Sequence, residues 1–102
     1  MWATNDVLAN PDQGEILADT GAVIATVVPA TIILWTDHDA LVEVAERNTA
    51  NNADVHNQVL GVKAAAGIQS FPLPLNLTLN QRVVIRMADN LVEGQIQGSI
   101  VW

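Results

Sequence analysis

From Phe71 to Leu79 the chain reads FPLPLNLTL. Large apolar residues hold every odd position, and Pro72, Pro74, Asn76 and Thr78 hold the even ones. A period of two belongs to an extended strand, whose successive side chains point to opposite faces. A helix would scatter the five apolar residues around its circumference, and the two prolines would break it. The prolines lie on the polar side and remove backbone donors there, which suits a sheet edge. The alternation survives the next turn. Val83, Ile85 and Met87 take one face; Arg82, Val84 and Arg86 take the other. In the last segment Gly94, Ile96, Gly98 and Ile100 oppose Gln95, Gln97, Ser99 and Val101. Glycines on the apolar side predict a close approach by a neighbouring backbone or a bulky side chain.

Segments 22–28 and 30–36 behave differently. Ile24 and Val28 oppose Val23 and Val27, while Ile32 and Leu34 oppose Thr31, Ile33 and Trp35. Strands apolar on both sides are covered on both sides. Ile24, Val28, Ile32, Leu34 and Trp35 are therefore expected at a contact with another subunit. Turn signals (Asn10–Gly14, Asp19–Gly21, Pro29, Asp37–Asp39, Asn48–Asn57, Asn80–Gln81, Asp89–Asn90) divide the chain at short intervals. They predict strands near 15–18, 22–28, 30–36, 40–46, 58–65, 70–79, 82–88 and 94–101. No stretch carries a capped helical period; ALVEVAE at 40–46 reads as a strand through Val42 and Val44. About eight strands in this spacing imply an all-β fold, an antiparallel sandwich or barrel. Residues 1–21 are expected to form an acidic N-terminal arm, and 22–102 the β domain.

Composition sharpens this picture. The chain has 102 residues, enough for one core. Half of them are hydrophobic, but only 15% are charged, below the usual quarter. Either Asn, Gln and Thr cover the surface, or part of it is buried against other subunits. With no cysteine, disulfides and thiolate metal sites are excluded. The opening MWATNDVLANPDQGE has no basic residue and no long apolar run, so no secretory signal is expected. The apolar run 22–35 is too short for a membrane helix, which needs about 20 residues. The net charge of −7 is uneven: all four bases (Arg47, Lys63, Arg82, Arg86) lie after residue 46. An acidic chain without a basic stripe predicts neither nucleic-acid nor anionic-membrane binding.

Candidate chemistry is sparse. Asp37-His38-Asp39 is the densest group of ligand-type side chains, and Asp54 and His56 follow in a polar, Asn-rich loop, 47–57. The spacing matches neither a calcium loop nor a helical His pair. Asp and His also suit turns, which is the reading preferred here. Ser70 and Ser99 lie outside any nucleophile elbow. Glu43 and Glu46 are three apart on a strand and are expected on opposite faces. No glycine-rich phosphate loop occurs. The expectation is a protein without catalytic residues, cofactor or metal. The sequon Asn76-Leu77-Thr78 falls inside a strand and carries no weight.

Several segments in order resemble small jelly-roll head decoration (cement) proteins of tailed bacteriophages. They are Val44-Ala45-Glu46-Arg47 with the following Asn/Ala loop, Phe71-Pro72-Leu73-Pro74-Leu75, Gln81-Arg82-Val83-Val84-Ile85-Arg86, and Gly94-Gln95-Ile96-Gln97-Gly98-Ser99-Ile100. The resemblance covers roughly 22–102 and is one of pattern and order. It implies a jelly-roll-like β-sandwich that forms a homotrimer on the virion surface, binds the major capsid protein and stabilises the shell. Trp2, Val7, Leu8 and Ile16 would then form a capsid-docking arm. The alternative is a glycan-binding or tail-associated adhesion module, for which the lack of tyrosine leaves few stacking residues.

Overall fold

A computed structural model describes residues 1–24, 30–73 and 81–102, with the backbone alone at Gln81. Among these residues nine strands follow one another: β1 (Trp2–Thr4), β2 (Leu8–Ala9), β3 (Ile16–Asp19), β4 (Thr31–Thr36), β5 (Ala40–Asn48), β6 (Asp54–Val62), β7 (Gln69–Pro72), β8 (Gln81–Met87) and β9 (Gln95–Val101). A single 3₁₀ turn, Ala64–Ala66, precedes β7. No helix among the described residues is long and apolar enough to cross a membrane.

The strands form two antiparallel sheets. Sheet A runs β1-β9-β4-β7, with β2 also on β9; sheet B runs β3-β8-β5-β6. The pairing is nested. β1 and β2 join β9, β3 joins β8, β4 joins β7, and β5 joins β6. This is one long antiparallel ribbon, closed at the β5–β6 hairpin, whose successive rungs alternate between the sheets. That winding is the jelly roll. The expected all-β sandwich is therefore the fold.

The period of two decides what lies between the sheets. Ile32 and Leu34 from β4, Ile96 and Ile100 from β9, Val42 and Val44 from β5, and Ile85 from β8 are fully buried. Each such side chain contributes about 1.5–3 kcal/mol by leaving water. Phe71 packs on the rim of this core while Pro72 stays exposed on β7, the edge of sheet A, as the alternation predicts. The remainder of that stretch, from Pro74 on, lies outside the described residues, as does Val28. Gly98 also meets its expectation: a Cβ there would stand 3.1 Å from both Leu17 Cβ and Leu34 Cδ2.

Three expectations are corrected. Residues 1–21 are not an arm beside the domain. β1 and β2 complete sheet A against β9, β3 completes sheet B against β8, and Leu17 and Ala18 enter the core. Seven-residue strands such as β8 and β9 would otherwise leave backbone groups open, and this segment closes them. Next, the polar loop is shorter than 47–57. β6 begins at Asp54, because His56, Asn57 and Gln58 pair with Glu46, Ala45 and Val44. Asn48 makes the tight turn: its N–H donates to Ala53 O (2.8 Å), its Oδ1 accepts from Ala50 N (2.8 Å), and Asn52 takes φ 57°. Last, Ile24, Ile32 and Leu34 are buried at 2%, 0% and 0% exposure within this one chain. They belong to the core and offer no surface to a partner subunit.

Candidate functional site

The two outer faces of the sandwich differ in chemistry. On sheet B several outward positions carry ions, beside the exposed Leu41 and Val59. Glu43 pairs in register with Arg86 across β5 and β8, and Arg86 Nε donates to Glu43 Oε1 at 2.7 Å. Arg86 Nη2 also reaches Asp54 Oδ2 at 2.6 Å, and Arg47 Nε donates to Asp54 Oδ1 at 3.0 Å. Burial pushes the Asp54 carboxyl up, but hydrogen bonds from Arg86 and Arg47 outweigh it and hold the group below the usual aspartate value. Arg82 Nε lies 3.4 Å from Asp19 Oδ1, too poorly aligned for a hydrogen bond. All three arginines of the chain thus lie paired on this face.

Sheet A is different. Its register brings Trp2, Val101, Thr31 and Pro72 into one row, and Thr4, Ser99, Ile33 and Ser70 into the next. Trp35 pairs with Gln97 beyond them. None of these residues is charged. Trp2 is 65% exposed, and Ile33, Trp35 and Val101 are half-buried with no sheet above them among the described residues. Of the described residues expected at a subunit contact, only Trp35 is on this outer face. Of the expected docking residues, Trp2 shares it, Val7 is exposed, Ile16 is half-buried opposite Arg86, and Leu8 packs on the core. Ile33 and Val101 were missed as contact candidates; their outward phase, opposite Ile32 and Ile100, was the available signal.

The ligand-type residues do not converge. Asp37, His38 and Asp39 form the β4–β5 turn, whereas Asp54 and His56 sit by the far end of β5, which at about 3.3 Å per residue is nearly 30 Å long. Asp37 Oδ1 accepts from Gln95 N (2.7 Å) and lies 2.9 Å from His38 Nδ1. The bond to His38 lowers the Asp37 carboxyl and raises the imidazole. Asp39 Oδ1 accepts from Ala64 N at 3.0 Å, and that bond lowers its carboxyl. These groups pin loops, as the turn reading expects. No group of three or more acidic, His or Cys side chains among the described residues is placed to hold a metal ion.

Two other features complete the inventory. Glu46 points inward from β5, opposite in sense to Glu43 as expected, and is fully buried. Its Oε2 lies 3.3 Å from His56 Nδ1, and its Oε1 has no partner among the described residues. A recess of about 150 Å³ opens between Asp39, Leu41, Val62, Lys63, Met87 and Asp89. It is smaller than an ordinary small-molecule site.

Neither family models, nor curated proteins, nor solved structures give a match to this chain.

Proposed function

We propose that this chain is a structural protein of a tailed-phage virion, a decoration or cement protein that binds the major capsid protein on the outer shell and stabilises it as a homotrimer. The observation that carries the reading is the contrast between the two outer faces. One carries paired ions beside the exposed Leu41 and Val59; the other is uncharged and half-apolar, with nothing packed on it among the described residues. A charge-free face on a chain of net charge −7 suits contact with protein better than solvation. The jelly-roll winding agrees with what the resemblance implies. The role needs no catalytic group: it needs an inert sandwich and many simultaneous contacts, whose avidity exceeds any single affinity.

The test is binding to shells. The purified chain should co-sediment with expanded capsids of the phage that encodes it, saturate at a fixed ratio to the capsid protein, and raise the temperature at which the shells open. Chain that stays in the supernatant at all concentrations, with shell stability unchanged, overturns the proposal.

A further inference from the structure

We infer that the uncharged outer face of sheet A is the surface through which copies of this chain assemble with one another. This deepens the oligomeric part of the reading above by naming the surface and its occupant, a second and further copy of the same chain.

Charge comes first. Two copies of a −7 chain repel one another wherever their acids approach. The loops 10–15, 37–39, 63–68 and 88–94 hold Asp12, Glu15, Asp37, Asp39, Asp89 and Glu93 against Lys63 alone. The outer face of sheet B has Arg47 and Arg86 hydrogen-bonded to their own carboxylates, and Arg82 beside Asp19 at 3.4 Å without a hydrogen bond. The rows through Trp2, Thr31, Ile33, Trp35, Ser99 and Val101 are where copies can meet without burying a charge. Burying a like-charge pair would cost several kcal/mol.

Shape comes second. β9 has seven residues and spans about 23 Å at ~3.3 Å each; four strands at ~4.8 Å span about 19 Å. The face thus offers on the order of 400 Å² per copy. A stable pair needs about 800 Å² per partner. A lone face-to-face pair is therefore weak; a closed ring divides the same face between two neighbours and holds by the number of contacts, not by added area. With three sheets turned to a common axis, each copy meets two neighbours, and release of one breaks two contacts at once. Trp2 and Trp35 supply the bulk to fill that axis. Hydroxyls and Gln97 around them give the polar rim such contacts carry.

The experiment is mass in solution by light scattering and sedimentation, on the full chain across a wide concentration range. The unaltered chain is expected to show a concentration-dependent oligomer. Ile33→Glu and Trp35→Glu are expected to weaken assembly by about 100-fold or more, while circular dichroism confirms a folded monomer, because neither side chain enters the core. Ile33→Val should keep the oligomer. Leu41→Glu and Val59→Glu, exposed on sheet B, should keep it too. A chain that is monomeric at all concentrations overturns the inference. So does an oligomer that survives both sheet A charges, or breaks with the sheet B ones. So does a monomer that binds neutral oligosaccharides through Trp35, which would make the face a glycan platform. An oligomer that ignores capsids would sink the capsid reading and leave this one standing. Monomers that bind capsids would do the reverse.

Discussion

Arg86 on β8 reaches both Glu43 in its neighbour β5 and Asp54 at the start of β6, so one guanidinium ties three strands of sheet B. The three groups are only about one-fifth exposed (17%, 22% and 24%). Removing Arg86 would leave Glu43 without a cation and Asp54 with Arg47 alone. Arg86→Ala should therefore lower unfolding free energy by about 1–3 kcal/mol. Arg86→Lys should recover only part of it, since an ammonium lacks the planar fork that serves both oxygens. Urea unfolding of the three proteins checks this; equal midpoints would show the network contributes nothing.

The same network sets an acid limit. Asp54 has a folded value below its ordinary 3.8. A depressed carboxylate contributes stability that is present above the unfolded value and lost as pH falls through the folded one. The urea midpoint should thus be flat near neutrality and drop below about pH 4. Asp54→Asn should lower the neutral plateau and flatten part of the acid limb. A variant whose limb parallels the parent's would place the acid sensitivity elsewhere.

Glu46 shows where a strand pattern can mislead. It shares the inward phase of Val42 and Val44 and is as buried as they are. With Oε1 unpartnered among the described residues, its carboxylate is a cost to the fold. Its partner His56 is 54% exposed on its side chain and can turn to water if the carboxylate is lost. Glu46→Met should be neutral or stabilise by about 1–2 kcal/mol, whereas Val44→Ala, one rung away, should cost about 2 kcal/mol or more. Thermal melts of both variants decide it; a large loss with Glu46→Met would assign the carboxylate a structural partner.

Gly98 tests the packing of the core directly. It lies opposite Leu34 on β9, and Leu17 from β3 closes over it. A Cβ at 3.1 Å from both is tighter than ordinary contact, so a neighbour must shift. Gly98→Ala should cost about 1–2 kcal/mol, and Gly98→Val about 3 or more. Calorimetry that shows either variant unchanged would mean Leu17 moves aside freely.

Much of this fold is written in periodicity. The two-residue phase put Val83, Ile85 and Met87 inside and Arg82 and Arg86 outside, and it flagged Gly98 as a close approach. It fails where strands lack apolar character. The start of β6, Asp54 to Asn57, reads as loop because it is mostly polar and exposed on both faces; only its pairing with β5 makes it a strand. Nor does periodicity tell a core face from a contact face. Ile32 and Ile33 are both branched apolar residues, and only the polar Thr31 in phase with Ile33 signals that Ile32 is the one that looks at sheet B. The acids of 1–21 suggested an arm, yet what fixes its first strands is the open edge of β9, more than eighty residues away along the chain.

The N-terminal strands give the sharpest test of that last point. Trp2, Ala3 and Thr4 pair with Val101, Ile100 and Ser99, Leu8 pairs with Ile96, and the Trp102 amide donates to Met1 O at 2.9 Å. Thr4 Oγ1 donates to Gly98 O at 2.9 Å, binding the strand a second time. Removing residues 1–9 takes away these bonds and the half-buried Leu8, and it opens β9, a strand of seven residues without a charge, along one edge. An open uncharged edge is a template for pairing with other chains. The truncated chain should unfold at a urea midpoint lower by the equivalent of about 2–4 kcal/mol, and light scattering should show aggregates on mild heating. Trp2→Ala, which removes an exposed ring and keeps the backbone pairing, should leave stability within about 0.5 kcal/mol. A segment that merely hung beside the domain would give the opposite result: truncation without loss of stability, and no new aggregation.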